Sequence, residues 1–198
     1  ERCPCISEMI QGFNNFSGWV VREIVSRVQF SDRVATLSKF MNLAVELRKL
    51  SNFNGVMEMI AGINSSPVRR LKKTWAEVDE SLKDQFSELE KTMSHHQSFK
   101  AYRQALHYSK PPCLPYLGVY LTDLTFIEDG NPDTTSKGLI NFDKCFKLAN
   151  VIEEIQTYQK NDFSTITPVL IIQKWLAFRE GLSEQEAYAR STKIEPRN

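Results

Sequence analysis

Residues 111–133 read PPCLPYLGVYLTDLTFIEDGNPD, and the organisation of the chain turns on this stretch. Pro111, Pro112 and Pro115 end whatever precedes them, because the residue before a proline is pushed out of the helical region. Pro115 suits the first position of a new helix, where a missing N–H removes no bond. Tyr116 to Asp129 is apolar with an acidic end, and Gly130-Asn131-Pro132 forbids its continuation. Beyond a short polar connection, Phe142, Cys145, Ala149, Ile152, Ile155 and Tyr158 recur every three or four residues within Leu139 to Lys160. That spacing predicts an amphipathic helix. Two helices joined by a short turn run antiparallel, so residues 116–160 predict a helical hairpin with Glu128 and Asp129 beside its connection.

Outward from the hairpin the pattern stays helical. Ile6, Met9, Ile10 and Phe13 form one stripe and Trp19, Val20, Ile24 and Val28 another, with the turn-prone Asn14-Asn15-Phe16-Ser17-Gly18 between them. Ser31 or Asp32 is placed to cap a helix reaching Lys49, with Val34, Leu37, Met41, Ala44, Leu47 and Leu50 on one face. Asn52-Phe53-Asn54 breaks it. Val56, Met59, Ile60 and Ile63 mark the next helix, and Ser66 before Pro67 restarts the chain after Asn64. Val78, Leu82, Phe86, Leu89 and Met93 predict a further helix ending at His95 and His96, and Phe99, Tyr102, Ala105 and Leu106 a short one. Thr167-Pro168 begins a helix through Phe178 with Val169, Ile172 and Leu176 inward, and Ser183 with Glu186 fits a capping box for the last helix. No strand pattern, repeat or low-complexity linker appears, so the pattern predicts an all-α single domain.

Composition narrows the function. With 41% hydrophobic and 25% charged residues the 198-residue chain can bury a sizeable core, and a formal charge of +1 gives no field for nucleic acid or an anionic membrane. The basic run Arg69 to Lys73 is followed at once by Trp75, and Asp79, Glu80 and Asp84 soon cancel its charge, which favours an ordinary structural reading over a phosphate or nucleic-acid site. Cys3, Cys5, Cys113 and Cys145 match no zinc spacing and read as free thiols of a reducing cytoplasm. His95 and His96 have no third ligand nearby in sequence, so no metal site is expected. There is no G-x-S-x-G, P-loop, H-E-x-x-H or glycine-rich dinucleotide fingerprint. Covalent catalysis, a cofactor and direct nucleotide binding are therefore not expected.

The run PPCLPYLGVYLTDLTFIEDGNPD followed by LINFDKCFKLANVIEEIQTYQ resembles the catalytic region of Ras-family guanine-nucleotide exchange factors, the class of Son of sevenless and the Ras and Rap releasing factors. NFNGVMEMIAGINSSPVRRLKKTW at 52–75 resembles a second signature block, and KIEPRN at 193–198 the end of the catalytic domain. The likeness covers residues 1–198, with the family's opening Pro-x-x-x-Ala-x-Gln-Leu-Thr block expected to be missing from the N-terminal side. It implies a helical domain with a protruding hairpin that binds a Ras-like small GTPase, Ras or Rap, and stimulates GDP release by stabilising the empty state. It also implies a cytoplasmic protein that meets membranes only indirectly, through the GTPase or further domains.

The resemblance further implies roles for particular residues. Thr122, Thr125, Asp129, Gly130 and Asn131 would act in the hairpin, with Thr125 as wedge and Asp129 as acid where the best-known member has leucine and glutamate. Tyr116 and Thr122 would meet the partner's mobile segments. Ile10, Gln11, Met57, Asn64 and Ser66 would line the groove for the second segment, with Gln11 in place of an arginine. Read without the family, Ile10 and Met57 are core residues. The changes at Thr125 and Asp129 leave an alternative, a silent module that binds the GTPase without emptying it.

Overall fold

The computed structural model describes residues 3–196. Eleven helices follow one another among the described residues: α1 (Pro4–Val25), α2 (Phe30–Lys49), α3 (Phe53–Ile63), α4 (Ser66–Arg69), α5 (Lys72–Ala76), α6 (Glu80–Thr92), α7 (His96–His107), α8 (Leu117–Gly130), α9 (Phe142–Gln159), α10 (Leu170–Ala177) and α11 (Glu184–Ile194). Only isolated bridges, Asn52 with Leu114 and Thr134 with Ile140, interrupt this all-α pattern. No described helix is long and apolar enough to cross a membrane.

The core is built where α3 packs on α1 and α2, with α6 closing α2 from outside. Ile24, Leu37, Met41, Phe53, Val56, Ile63 and Phe86 are fully buried there. The expected α6 stripe holds completely: Leu82, Phe86 and Leu89 face inward, flanked by buried Val78 and Met93. Side-chain caps set several helix starts. Asn52 accepts from the Gly55 N–H, Asp79 from Leu82 and Asn141 from Lys144, and Ser183 with Glu186 forms the expected capping box. The four cysteines are free thiols. The two arginines of the basic run are engaged within the fold, Arg69 pairing with Glu90 and stacking 4.3 Å over Trp75 and Arg70 donating to the Ser191 carbonyl at 2.7 Å, while Lys72 and Lys73 are exposed.

Six local expectations are corrected. Asn14 to Gly18 does not turn but runs through α1, where Gly18 makes a close approach: a Cβ there would lie 3.3 Å from the Gly181 Cα. Neither Ser31 nor Asp32 caps α2; Gln29 is the cap residue, and Asp32 instead sits in the first turn, where its charge favours the helix dipole. Before α4 the N-cap position falls on Ser65 rather than Ser66, without a side-chain capping bond, and Pro115 precedes α8, whose cap residue is Tyr116. The inward face of α9 is turned by one position from the expected stripe. Lys144, Leu148, Val151, Ile155 and Tyr158 face in, while Phe142, Cys145, Ala149 and Ile152 are exposed. Finally α10 buries no residue fully: Ile172 is exposed, as is Val169 just before the helix, and α10 meets the core through half-buried Leu176 and through Trp175, edge-on to Trp19 at 5.3 Å.

The same tight packing yields a stability prediction. Gly62 of α3 is buried against α1, and a Cβ would lie 2.8 Å from the Ser17 carbonyl oxygen and 2.9 Å from Val20. Alanine normally gains about 1 kcal/mol over glycine inside a helix. Here the neighbour is backbone and cannot swing away, and overpacking costs about 1–3 kcal/mol. Gly62→Ala is therefore expected to lower the thermal midpoint by roughly 3–6 °C. Calorimetry checks this, and a raised midpoint would contradict it.

Candidate functional site

α8 and α9 run antiparallel, as their cross-contacts require. Near the body the Tyr120 hydroxyl donates to Glu154 at 2.9 Å, and near the connection the Lys144 ammonium meets Glu128, also at 2.9 Å. The pair is fixed to the core at its base. The Tyr116 N–H donates to the buried Tyr102 hydroxyl at 2.9 Å, and Arg103 Nη2 donates to both carboxylate oxygens of Asp123 at 2.8 Å. Asn161 donates to the Cys113 carbonyl at 2.7 Å, and the Phe53 N–H to that of Leu114 at 2.9 Å. Burial pushes the hydroxyls of Tyr102 and Tyr120 well above the ordinary phenol value, so both stay neutral, Tyr102 accepting from Tyr116 and Tyr120 donating to Glu154.

Beside this base lies a groove of about 380 Å³ between α1, α3 and the start of α8. Met9, Ile10 and Phe13 form one wall and Tyr116, Leu117 and Leu121 the other, with Phe13 and Tyr116 rings 5.7 Å apart. Ile10 is 47% exposed, so it is surface apolar area rather than core. Asn54 and Glu58 supply the α3 side, and the Asn54 amide donates to Glu58 Oε1 at 2.9 Å. Desolvation pushes the Glu58 carboxyl up to about 7, against a smaller lowering by Asn54. Because that value lies above the ordinary 4.5, folding favours the protonated form: the benefit is full below pH 4.5 and is lost as pH rises through 7. Allowing for solvent screening of a partly exposed group, Glu58→Gln should be about 1–2 kcal/mol more stable than wild type at pH 8. The gap should close at pH 4. Urea denaturation at the two pH values measures it, and equal gaps would contradict the assignment.

The groove continues along α8. Leu121 also lines a neighbouring depression of about 240 Å³ with Thr122, Thr125 and Phe126, and the Phe126 ring is 72% exposed. Thr122 and Thr125 are exposed, their hydroxyls donating back to the Gly118 and Leu121 carbonyls at 2.8 and 2.9 Å, so they present their methyl groups outward. Asp129 follows one turn later on the same face, exposed. Its neighbour Glu128 is held by Lys144, which is itself buried and also bound to Asp133 at 2.5 Å. Asp129 has no hydrogen bond or ion pair among the described residues, so its carboxylate is free to meet a partner. Gly130 closes α8, and Asn131 donates to the Ile127 carbonyl at 2.8 Å and accepts from Lys147 at 3.3 Å.

The structure thus joins Ile10, Tyr116, Thr122, Thr125 and Asp129 into one surface. Ser66 lines a second depression that meets the groove at Asn14. Met57 is half-buried against the core on the helix that carries Asn54 and Glu58, and Gln11 is exposed on α1 outside the groove lining. Asn64 is drawn away: its amide donates to Glu90 at 2.6 Å. Sequence reasoning missed Glu58, Phe13, Leu121 and Phe126. The available signal for Glu58 was its standing as the lone acid in FNGVMEMIAGI, four residues after Asn54.

Comparison with known proteins shows the family. The RasGEF domain matches residues 1–146. Across 98% of its length the chain is 43% identical to Ras guanine nucleotide exchange factor Y of Dictyostelium discoideum, of which it covers 13%. Across its whole length it is 41% identical to Ras guanine nucleotide exchange factor I of the same organism, covering 24%. It is likewise 39% identical to Ras-specific guanine nucleotide-releasing factor 2 of Danio rerio, covering 16%. The chain therefore spans a quarter or less of these relatives, and within that span it belongs to the RasGEF domain family.

Proposed function

We propose that residues 1–198 act as a guanine-nucleotide exchange factor for a Ras-like small GTPase, Ras or Rap, with the α8–α9 pair as the element inserted into the partner. The observation that carries this reading is the single face of α8 that begins in an apolar groove and ends on the Asp129 carboxylate, unpaired among the described residues. Family membership supplies the partner class. Met9, Ile10, Phe13, Tyr116 and Leu121 form an apolar and aromatic cluster of the composition that anchors protein interfaces.

The mechanism is differential binding without covalent chemistry. Mg²⁺ joins the nucleotide phosphates to a GTPase, and the phosphate loop presents a lysine and a serine. Asp129 would satisfy that lysine or serine once the phosphates leave, and the methyl of Thr125 would crowd the metal position. Both contacts favour the empty state. Since the coupling is reciprocal, nucleotide weakens binding of the factor by the ratio in which the factor weakens binding of nucleotide. Mass action then refills the site with the more abundant nucleotide.

Reciprocity supplies the test. The chain and a Ras protein stripped of nucleotide should co-elute on gel filtration, and excess GDP or GTP should disperse the complex. A complex that survives excess nucleotide unchanged would support the silent-module reading instead.

A further inference from the structure

The docking groove holds one ionisable acid, and its surroundings restrict what can cover it. From α1 the lining residues are Met9, Ile10, Gly12, Phe13 and Asn14, none of them titratable. From α3 they are Asn54 and Glu58, and from the start of α8 Tyr116 is the only titratable group, its hydroxyl pushed up by burial and so neutral. α2 contributes nothing to the lining, and no lysine, arginine or histidine faces the groove. Glu58 Oε1 accepts one bond from a neutral amide, and Oε2 has no partner among the described residues.

Covering a carboxylate with apolar side chains removes its water and costs several kcal/mol unless a cation or a proton compensates. A partner cation would itself have to be buried against Met9, Phe13, Leu117 and Leu121. A proton on Oε2 avoids that second desolvation, and it converts the acid into a hydrogen-bond donor for a carbonyl or hydroxyl on the incoming segment. Resting on the exchange-factor reading above, we infer that Glu58 is a specificity-determining residue of the groove: it enters the GTPase complex as the neutral acid, so the groove selects an uncharged apolar segment and takes up one proton as it closes. The carboxyl already titrates at about 7 in the free chain, so the neutral, binding-competent fraction falls about tenfold between pH 6 and pH 8.

The test is calorimetric titration of the full chain with a nucleotide-free Ras protein at pH 6, 7 and 8. It is run in two buffers of different ionisation enthalpy, with wild type and Glu58→Gln compared so that titrations within the GTPase cancel. Wild type is expected to bind about tenfold more weakly at pH 8 than at pH 6 relative to Glu58→Gln, taking up about one proton at pH 8 that the variant does not. The wild-type proton count needs no variant to fold. Identical pH profiles and proton counts overturn the inference while leaving the exchange-factor reading intact. Uniformly weaker binding by Glu58→Gln at every pH also overturns it, because that is the mark of a partner cation. Absence of binding by either protein at any pH removes the exchange-factor reading and this inference together.

Discussion

Asp129→Ala is expected to slow nucleotide exchange on a Ras-like GTPase about 10- to 150-fold, the equivalent of ~1.5–3 kcal/mol for one charge-assisted contact made only in the nucleotide-free complex. The size follows from the pairing at the end of α8. Glu128 is committed to Lys144, and Lys144 to Asp133, so this acid serves the connection. Asp129 stands beside it, exposed and unpaired among the described residues. Removing it deletes no contact within the fold, so circular dichroism and thermal midpoint should stay at the wild-type values. Asp129→Glu, reaching one methylene further, should be neutral or faster. An unchanged rate in folded Asp129→Ala would remove the residue from the mechanism and leave the groove at Tyr116 and Ile10 as the source of activity.

The second large effect concerns stability and lies far from the groove. Glu195, just beyond α11, is buried, as is Arg33 of α2, and their charges lie 3.7 Å apart. Its carboxylate accepts from the backbone N–H groups of Lys73 and Thr74 at 3.1 and 3.0 Å, capping α5, and from the Thr74 hydroxyl. That hydroxyl in turn accepts from Arg33 Nε at 2.9 Å. Glu195→Ala leaves the guanidinium buried without its counter-charge and strands two N–H groups, a change expected to cost about 3–5 kcal/mol. Glu195→Gln keeps an oxygen for the N–H groups and should cost less. Urea denaturation measures both, and a loss below about 1 kcal/mol for Glu195→Ala would contradict this description of the network.

How far the chain could be read in advance depended on the range of the interactions involved. α6 was legible because Leu82, Phe86 and Leu89 report their own burial through local spacing, and the α11 start because a capping box is a four-residue event. Asn14 to Gly18 misled because turn propensity is a weak local prior, and here Gly18 serves a close approach to Gly181 from within α1 rather than a turn. The face of α9 was ambiguous because two apolar stripes overlap on it: Phe142, Cys145, Ala149 and Ile152 compete with Leu148 and Val151, and only packing selects the second, with Val151, Ile155 and Tyr158 against the core. α10 reads as a buried amphipathic helix and is largely exposed, because amphipathicity reports a face and not what covers it. The site divides in the same way. Ile10, Tyr116, Thr122, Thr125 and Asp129 came from resemblance, and geometry brings them together on one surface. Glu58 carried no motif, and its meaning appears only once α1 and α8 enclose it.

The central claim is that this chain empties a Ras-like GTPase and does not merely hold it. Its most direct test is the release of fluorescent GDP from a loaded Ras or Rap protein, followed with excess unlabelled GTP in the presence and absence of residues 1–198. The account predicts fluorescence loss that accelerates with chain concentration. Binding of the nucleotide-free GTPase with no acceleration of GDP release from either protein would contradict it.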